Sequence, residues 1–129
     1  MITEEEDRYL FPSLDPIISL SNSLLQILNG FIKNWHPHKT MIGEELTNFY
    51  KGFIIYREYC NNYCKGERII KSIKNDKNFA KIQNKLKMDI ESYLIKPVQR
   101  PPKYKILLRE YQKALRSDHP DYEILTNAI

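Results

Sequence analysis

Residues 91–115 read ESYLIKPVQRPPKYKILLREYQKAL, and this stretch carries most of what the sequence says about the fold. Apolar and ring-bearing residues recur in it at alternating steps of three and four, which places them along one side of a helix that faces a core. The opposite side carries long polar side chains together with bare apolar ones, a mixture typical of a binding surface. The core stripe consists of Leu94, Pro97, Pro101, Tyr104, Leu108, Tyr111 and Leu115, and the exposed stripe consists of Lys96, Gln99, Lys103, Ile106 and Glu110 with Leu107 at its edge.

Two features of this stretch leave its interpretation open. Ile106 and Leu107 can equally well pack against another helix of the same domain, which would make their side structural rather than functional. Pro97 can open a helix, because its missing N–H is not needed there. The pair Pro101-Pro102 follows about one turn later, and local rules alone predict a kink or a restart, since a proline costs roughly 3 kcal/mol in a helix interior.

The rest of the chain also favours helices. Its 129 residues, 42% of them hydrophobic, suffice for one domain with a single core, and 4 Gly against 7 Pro fit helices with short connections. Apolar spacing predicts a long helix that Ser13 caps and that runs to Trp35, before Pro37 stops it. The acidic start of the chain is expected to be frayed. Further helices are predicted from Ile42 to Tyr63, over 66–74, over 77–87, from Met88 to Leu115 and from Asp121 to Ile129.

Charge and metal-ligating residues argue against several classes of function. The formal net charge is +4, but acidic residues alternate with basic ones outside 96–105, which favours a solvated surface over a nucleic-acid site. Cys60 and Cys64 lie four residues apart, so they are neighbours on one helix face. They are therefore not placed to link two separate elements by a disulfide bond. The three histidines are scattered, and we predict no metal site and no cofactor.

Nothing in the sequence directs the chain into a membrane. The N-terminus is acidic and lacks the basic segment and apolar run of a secretory signal. No stretch approaches the roughly 18–20 apolar residues that span a bilayer. We therefore expect a cytoplasmic protein without a transmembrane segment, with any recruitment to a membrane carried by domains outside these residues.

The order of residues in 94–110 resembles the third conserved region of Dbl-homology (DH) domains. That region contains LIKPxQR, then a basic residue with Tyr, then LL, and the matching residues here are Leu94 to Arg100, Lys103-Tyr104, Leu107-Leu108 and Glu110. The resemblance extends over nearly the whole chain, through Leu10-Phe11-Pro12, Asp15-Pro16-Ile17, Ile42-Gly43-Glu44, Phe53, Tyr56, Tyr59-Cys60, Asn62-Tyr63 and His119-Pro120-Asp121-Tyr122. It implies an all-α fold, an elongated multi-helix bundle.

The chain departs from the family pattern in three places. Position 101 is usually aliphatic and position 105, here Lys105, is often proline, so one proline is shifted four residues towards the N-terminus. The first conserved region of DH domains has no counterpart in these residues, and the last helix stops before the part that reaches the GTPase in the family. We therefore expect residues 1–129 to form a single, incomplete DH domain. Alone, it is expected to exchange nucleotide poorly and to leave apolar faces open to self-association or another partner.

The resemblance implies a guanine-nucleotide exchange factor for Rho-family small GTPases. Such a factor binds the GDP-loaded GTPase, rearranges its two switch regions, expels Mg²⁺ and nucleotide, and holds the empty form until GTP enters, without covalent chemistry of its own. By position in the motif, Gln99 and Lys103 match family residues that face the switches, and Ile106, Leu107 and Glu110 are adjacent candidates. The motif residues with an implied structural role are Leu94, Pro97, Arg100, Tyr104 and Leu108, with Arg100 paired to a carboxylate.

Two other classes compete with this interpretation. A non-catalytic helical scaffold or regulatory module with the same fold would bind a GTPase or another partner without accelerating nucleotide release. A basic nucleic-acid-binding helical domain would bind DNA or RNA with a steep dependence on salt. The acidic residues between the basic ones argue against this last class, and we predict no nucleic-acid partner.

Overall fold

The computed structural model of the chain describes residues 2–12 and 14–129, and within these ranges it contains helices and no strand. The predicted all-α class is confirmed. The chain forms two compact units, the first made of the segment up to Ile17 with Ile55–Arg100 and the second of Ile18–Ile54 with Pro101–Ile129. The elements are α1 (Glu4–Leu10), α2 (Leu14–Lys33), α3 (Gly43–Lys51), a 3₁₀ turn (Gly52–Ile55), α4 (Tyr56–Ile73), α5 (Lys77–Gln83), α6 (Ile90–Leu94), α7 (Lys96–Ala114) and α8 (Pro120–Ala128).

The acidic start of the chain forms a capped helix, so the expectation of a frayed segment is wrong. Thr3 Oγ1 accepts the backbone N–H of Glu6 at 3.2 Å, and Glu6 Oε2 accepts the backbone N–H of Thr3 at 2.7 Å. This reciprocal cap satisfies N–H groups that the first turn of a helix otherwise leaves unpaired. The acidic side chains of that turn also lie at the positive end of the helix dipole.

Leu10, at the end of α1, supplies part of the core of the first unit. It is buried together with Ile70 of α4 and Leu94 of α6. Gly66 of α4 lets α1 approach closely, because a Cβ at that position would lie 3.0 Å from the backbone oxygen of Tyr9. The small residue at position 66 is therefore needed for the packing of α1 on α4.

The predicted boundary between a helix ending at Tyr63 and another over 66–74 is wrong. α4 continues through both without interruption, and the break falls instead at the 3₁₀ turn before it. Gly52 begins that turn and lies against α2, where a Cβ would stand 3.0 Å from a methyl group of Leu20. The apolar spacing from Ile42 to Tyr63 continues across this turn, so the sequence pattern did not locate the break.

Other helix ends fall close to their predicted positions. α2 ends at Lys33 rather than at Trp35, and its predicted cap, Ser13, lies outside the described residues. α5 ends at Gln83, four residues earlier than predicted. The Gln83 side chain then accepts the backbone N–H of Ile90 at 2.9 Å, which ties the loop after α5 to the start of α6.

The prolines within α7 do not interrupt it, so the break predicted by local rules is wrong. α7 runs from Lys96 to Ala114 with Pro101 and Pro102 inside it. Each proline removes one donor from the helical ladder, yet both stand within the first two turns, where few hydrogen bonds precede them. Pro101 is half-buried on the core stripe, and the next turn is held by aromatic contacts of Tyr104.

Candidate functional site

The exposed stripe of α7 is open to solvent. Ile106 and Leu107 are 58% and 57% exposed, so the alternative in which they pack against another helix of the domain is wrong for the described residues. Gln99, Lys103 and Glu110 are exposed as well, whereas the residues of the core stripe are buried or half-buried. Two bare apolar side chains thus lie among long polar ones, as they do in many protein-binding surfaces.

An aromatic cluster in the second unit fixes the rotation of α7. The ring of Tyr104 stacks on Phe53 with 5.3 Å between centroids and meets Phe49 edge-on at 5.7 Å. Phe49 and Phe53 meet edge-on at 5.2 Å, and Tyr50 lies 4.7 Å from Phe53. Such ring pairs contribute about 0.5–1.5 kcal/mol each beyond the area they bury. Because Tyr104 is held in this cluster, the adjacent Lys103 is turned towards solvent.

A buried carboxylate joins the starts of α3 and α8 to α7. Asp121 is 0% exposed and accepts the backbone N–H groups of Ile42 at 2.7 Å and Gly43 at 3.0 Å. The hydroxyl of Tyr111, on α7, donates to the same carboxylate at 3.2 Å. A negative group in this place satisfies unpaired N–H groups at the start of α3 and the positive end of its dipole. A Cβ on Gly43 would lie 2.8 Å from Asp121 Oδ1, so the carboxylate reaches these amides only because residue 43 is glycine.

Tyr111 provides a second anchor for α7, two turns after the first. Burial raises the pKa of its phenol, and the charge of Asp121 and the hydrogen bond to it raise that pKa further. The phenol therefore stays protonated and remains a donor at neutral pH. The indole ring of Trp35 meets the ring of Tyr111 edge-on, with 6.4 Å between centroids.

Among the cations of this surface, Lys103 has the fewest contacts with the rest of the described structure. Its side chain makes no hydrogen bond or ion pair with any described residue, and the same holds for Gln99. Glu110 forms an ion pair with Lys113, with 2.8 Å between Oε1 and Nζ. Because both side chains are largely exposed, this pair contributes little to stability. The boundary between the units falls in α7 after Arg100, so Gln99 belongs to the first unit and the other candidates to the second.

The motif residues with an implied structural role lie at different depths. Leu94 is buried, and its carbonyl oxygen accepts the hydroxyl of Tyr59 at 2.6 Å. Burial raises the pKa of the Tyr59 phenol to about 12, so this donor also persists at neutral pH. Arg100 is exposed, and its pairing with a carboxylate stays a prediction. The half-buried members are Pro97, Tyr104 and Leu108.

The sequence predictions missed the joint role of Asp121 and Gly43. A signal was present at the start of α3, where Ile42 occupies the N-cap position and has no side chain that can cap the helix. The first N–H groups of α3 therefore needed an acceptor from elsewhere in the chain. That acceptor stands 78 residues after Gly43, and no local pattern connects the two positions.

The described residues offer no metal site and no membrane span. Within 2–12 and 14–129, no three His, Cys, Asp or Glu side chains come together in a way that could hold a metal ion. No helix in the same ranges has the length and apolar character needed to cross a bilayer. Cys60 and Cys64 are free thiols.

Comparison with known protein families decides which family this domain represents. A family model described as the RhoGEF domain matches residues 1–129. The chain belongs to the RhoGEF domain family. The resemblance to Dbl-homology domains, drawn mainly from the residues of α7, is confirmed by this match over residues 1–129.

Several proteins similar to this RhoGEF domain are exchange factors by name. Human Rho guanine nucleotide exchange factor 9 is 26% identical over 136 residues, which cover 100% of the chain and 26% of that protein. Rac guanine nucleotide exchange factor JJ of Dictyostelium discoideum is 33% identical over 134 residues, covering 99% of the chain and 11% of that protein. Human phosphatidylinositol 3,4,5-trisphosphate-dependent Rac exchanger 2 protein is 23% identical over 137 residues, covering 99% of the chain and 8% of that protein. The chain thus spans about a quarter or less of the length of these relatives.

Proposed function

We propose that this RhoGEF domain binds a Rho-family small GTPase and promotes release of GDP and loading of GTP. The observation that carries the proposal is the match of the RhoGEF family model to all of residues 1–129. The exposed stripe of α7 supports it, because it offers a partner two bare apolar side chains beside an unengaged ammonium group. Relatives named for Rac make Rac-type GTPases the first to test.

The proposed exchange requires no covalent chemistry on this chain. A factor that weakens nucleotide binding to a GTPase is itself weakened by nucleotide to the same extent, and each tenfold effect corresponds to about 1.4 kcal/mol. The stripe must therefore bind the nucleotide-free switches more tightly than the nucleotide-bound ones. The core stripe already holds α7 in place. Less conformational entropy is therefore lost when the GTPase binds to the exposed stripe, which favours tight binding.

Each candidate side chain has a distinct role in the proposal. Lys103 donates a charge-assisted hydrogen bond to an acidic group or a carbonyl oxygen in a switch region. Gln99 can both donate and accept, which suits a backbone that moves during exchange. Ile106 and Leu107 lose solvent contact when the partner binds, and Glu110 is available as an acceptor after its weak ion pair with a neighbouring lysine opens.

We further propose that residues 1–129 act together as one functional domain in the cytoplasm. Any recruitment to a membrane is assigned to regions outside these residues. Self-association, expected from the apolar side chains that the fold leaves exposed, is also part of the proposal.

Release of the fluorescent nucleotide mant-GDP from purified Rac-type and Rho-type GTPases tests the proposed exchange activity. Residues 1–129 alone should accelerate release weakly and a version extended at both ends strongly, and Lys103→Ala should lower the rate of the extended version by about tenfold or more, because a hydrogen bond to a charged group is worth roughly 1.5–3 kcal/mol. The matched control is Arg109→Ala, which removes an exposed cation from the same helix about 120° away around its axis.

The control should change the rate by less than about twofold, since a surface side chain outside an interface contributes little. Equal losses in Lys103→Ala and Arg109→Ala would show that the exposed stripe is not the binding surface. Binding of the GTPase without faster release, by residues 1–129 and by the extended version alike, would indicate a scaffold, and the proposal would then be wrong.

A further inference from the structure

The positive charge of the chain is concentrated in residues 77–88, which read KNFAKIQNKLKM. This segment contains four lysines and no acidic residue, so its formal charge is +4, equal to that of the whole chain. In the rest of the chain the remaining Lys and Arg residues balance the 16 Asp and Glu residues. The segment is thus an exception to the alternation of acidic and basic residues outside 96–105.

The fold of the first unit turns these lysines away from its core. α5 packs through Phe79 against the buried cluster of that unit. At 3.6 residues per turn, Lys77 and Lys81 each stand about 160° around the helix axis from Phe79, and both are exposed. Lys85 and Lys87 are exposed in the loop that follows. None of the four ammonium groups forms an ion pair with a described residue.

Gln83 holds the loop after α5 against the end of that helix. Its Nε2 donates to the carbonyl oxygen of Met88 at 3.0 Å, while its Oε1 accepts the backbone N–H of Ile90. Because both ends of the amide are used, residues 84–88 fold back beside α5. Three apolar side chains among the lysines stay in contact with water, namely Ile82, Leu86 and Met88, which are 57%, 37% and 41% exposed. These three and the four lysines form the α5 patch.

The lysines show that the α5 patch is not a surface for another helix of the same domain. Lys is almost never fully buried unless it is paired, so four unpaired lysines within one short segment mark a surface that lies outside the domain core. A surface that only meets water carries few exposed aliphatic side chains, and this one carries three. The combination indicates an anionic partner with an apolar layer.

The residue types of the α5 patch distinguish between the possible anionic partners. The segment contains no Arg, and its one aromatic residue, Phe79, packs on the core. Nucleic-acid sites rely on the planar fork of Arg and on aromatic rings that stack on bases. The centres of protein interfaces are depleted of Lys. Lysines around aliphatic side chains instead suit an anionic bilayer, where ammonium groups meet the headgroups and the apolar side chains reach the acyl boundary.

We propose that the α5 patch contacts an anionic lipid bilayer. Each lysine near such a surface strengthens binding about fivefold, so four lysines supply roughly several hundredfold. This contact is no stronger than that of a single myristoyl chain, which alone gives only marginal membrane binding. The patch therefore orients the domain on a membrane, and stable recruitment still requires regions outside these residues.

Flotation of the full chain with lipid vesicles tests the proposal without a GTPase, so the result is independent of the proposed exchange function. The chain should bind vesicles of phosphatidylcholine with about 30% phosphatidylserine, with half-saturation at about 0.1–1 mM lipid. Binding to phosphatidylcholine alone should be at least about tenfold weaker, because that lipid has no net charge. An increase in salt from about 0.1 M to about 0.5 M should weaken binding about fivefold or more, since it screens the lysines.

Three variants locate the contact. Lys81→Glu/Lys85→Glu should weaken binding at least about 20-fold, because two attractions of about fivefold each are lost and repulsion is added. The matched control, Lys33→Glu/Lys39→Glu, makes the same change in net charge at two exposed residues of the second unit and should weaken binding less than about threefold. Ile82→Ser should weaken binding about fivefold, because it removes an apolar side chain from the acyl boundary. All three should keep the wild-type far-UV circular dichroism, since every changed side chain is exposed.

Four outcomes would count against the proposal. Equal losses in the two double variants would show that net charge alone attracts the chain, and the α5 patch would not be the contact. A wild-type chain that binds neither kind of vesicle would overturn the proposal outright. Unchanged binding by Ile82→Ser would contradict contact with the acyl boundary. Binding of single-stranded RNA at least as tightly as vesicles, lost in Lys81→Glu/Lys85→Glu, would assign the patch to nucleic acid instead.

Discussion

Removal of the Asp121 carboxylate is expected to be among the most destabilising single changes in the second unit. Asp121→Ala leaves three donors without their acceptor, namely the N–H groups of Ile42 and Gly43 and the hydroxyl of Tyr111. Asp121 is 0% exposed, so these donors lie where water has little access. Each unpaired buried donor costs about 1–3 kcal/mol, and with some relaxation we expect the free energy of unfolding to fall by about 3–5 kcal/mol.

Urea unfolding followed by far-UV circular dichroism measures this loss as a shift of the midpoint at constant slope. Asp118→Ala is a matched control, because this carboxylate is largely exposed and bonds only to the equally exposed Arg116, so its loss should change stability by less than about 0.5 kcal/mol. Tyr111→Phe removes a single donor to Asp121 and should cost about 1 kcal/mol.

Gly43→Ala supplies an independent arm of the same test. Its Cβ would lie 2.8 Å from Asp121 Oδ1 and 3.2 Å from Ile124 Cγ2, so the substitution alone should cost about 1–3 kcal/mol. In the double variant the carboxylate that the new methyl group strikes is gone, and the combined loss should be smaller than the sum by about 0.5–3 kcal/mol. A cost below about 1 kcal/mol for Asp121→Ala, or strict additivity of the two changes, would refute this account of the buried carboxylate.

Two glycine substitutions are expected to differ in sign. Gly66→Ala sets a Cβ 3.0 Å from the backbone oxygen of Tyr9 and should lower stability by about 1–2 kcal/mol, whereas Gly30→Ala, on α2 with no atom within 4 Å, should raise it by about 0.5–1 kcal/mol. Thermal unfolding compares them, and a gain at position 66 would contradict the close packing of α1. Because burial raises the pKa of Tyr59 from 10.0 to about 12, its contribution to stability is complete below pH 10 and disappears as the pH rises towards 12, a change of about 2.7 kcal/mol. Tyr59→Phe should flatten this alkaline loss in urea titrations, and an unchanged slope would argue against it.

The helical class and the two stripes of α7 were predictable because they depend on spacing within one element. Steps of three and four place Tyr104 and Tyr111 on one side and Ile106 on the other whatever the rest of the chain does. The structure then shows what holds the core side, namely the aromatic cluster and the buried carboxylate. The function proposed for the exposed side comes from the family motif and not from spacing.

Contacts between residues distant in sequence account for features that the sequence did not predict. The uncapped start of α3 relies on Asp121, 78 residues after Gly43, and Gly52 lies close to Leu20 of α2. Neither partner can be inferred from its neighbours in the chain. The acidic start is a different case, because the Thr3 and Glu6 pair that caps α1 is a local pattern visible in the sequence and was overlooked.

The prolines of α7 show a third kind of failure, in which a correct local rule is outweighed by packing. A proline pair in a helix interior disfavours the helix, and taken alone it predicts a break. In the structure α7 continues because Tyr104, two residues after the pair, is held by Phe49 and Phe53.

The most direct test of the proposed exchange function compares the affinity of this RhoGEF domain for two forms of one Rac-type GTPase. Calorimetry or biolayer interferometry gives the dissociation constants for the nucleotide-free form and for the GDP–Mg²⁺ form. An exchange factor must favour the empty form, and we expect it to bind at least about tenfold more tightly, a difference of about 1.4 kcal/mol or more. Lys103→Ala should weaken binding to the empty form. Equal affinity for the two forms would contradict the proposed function, because a protein that does not distinguish them cannot drive nucleotide release.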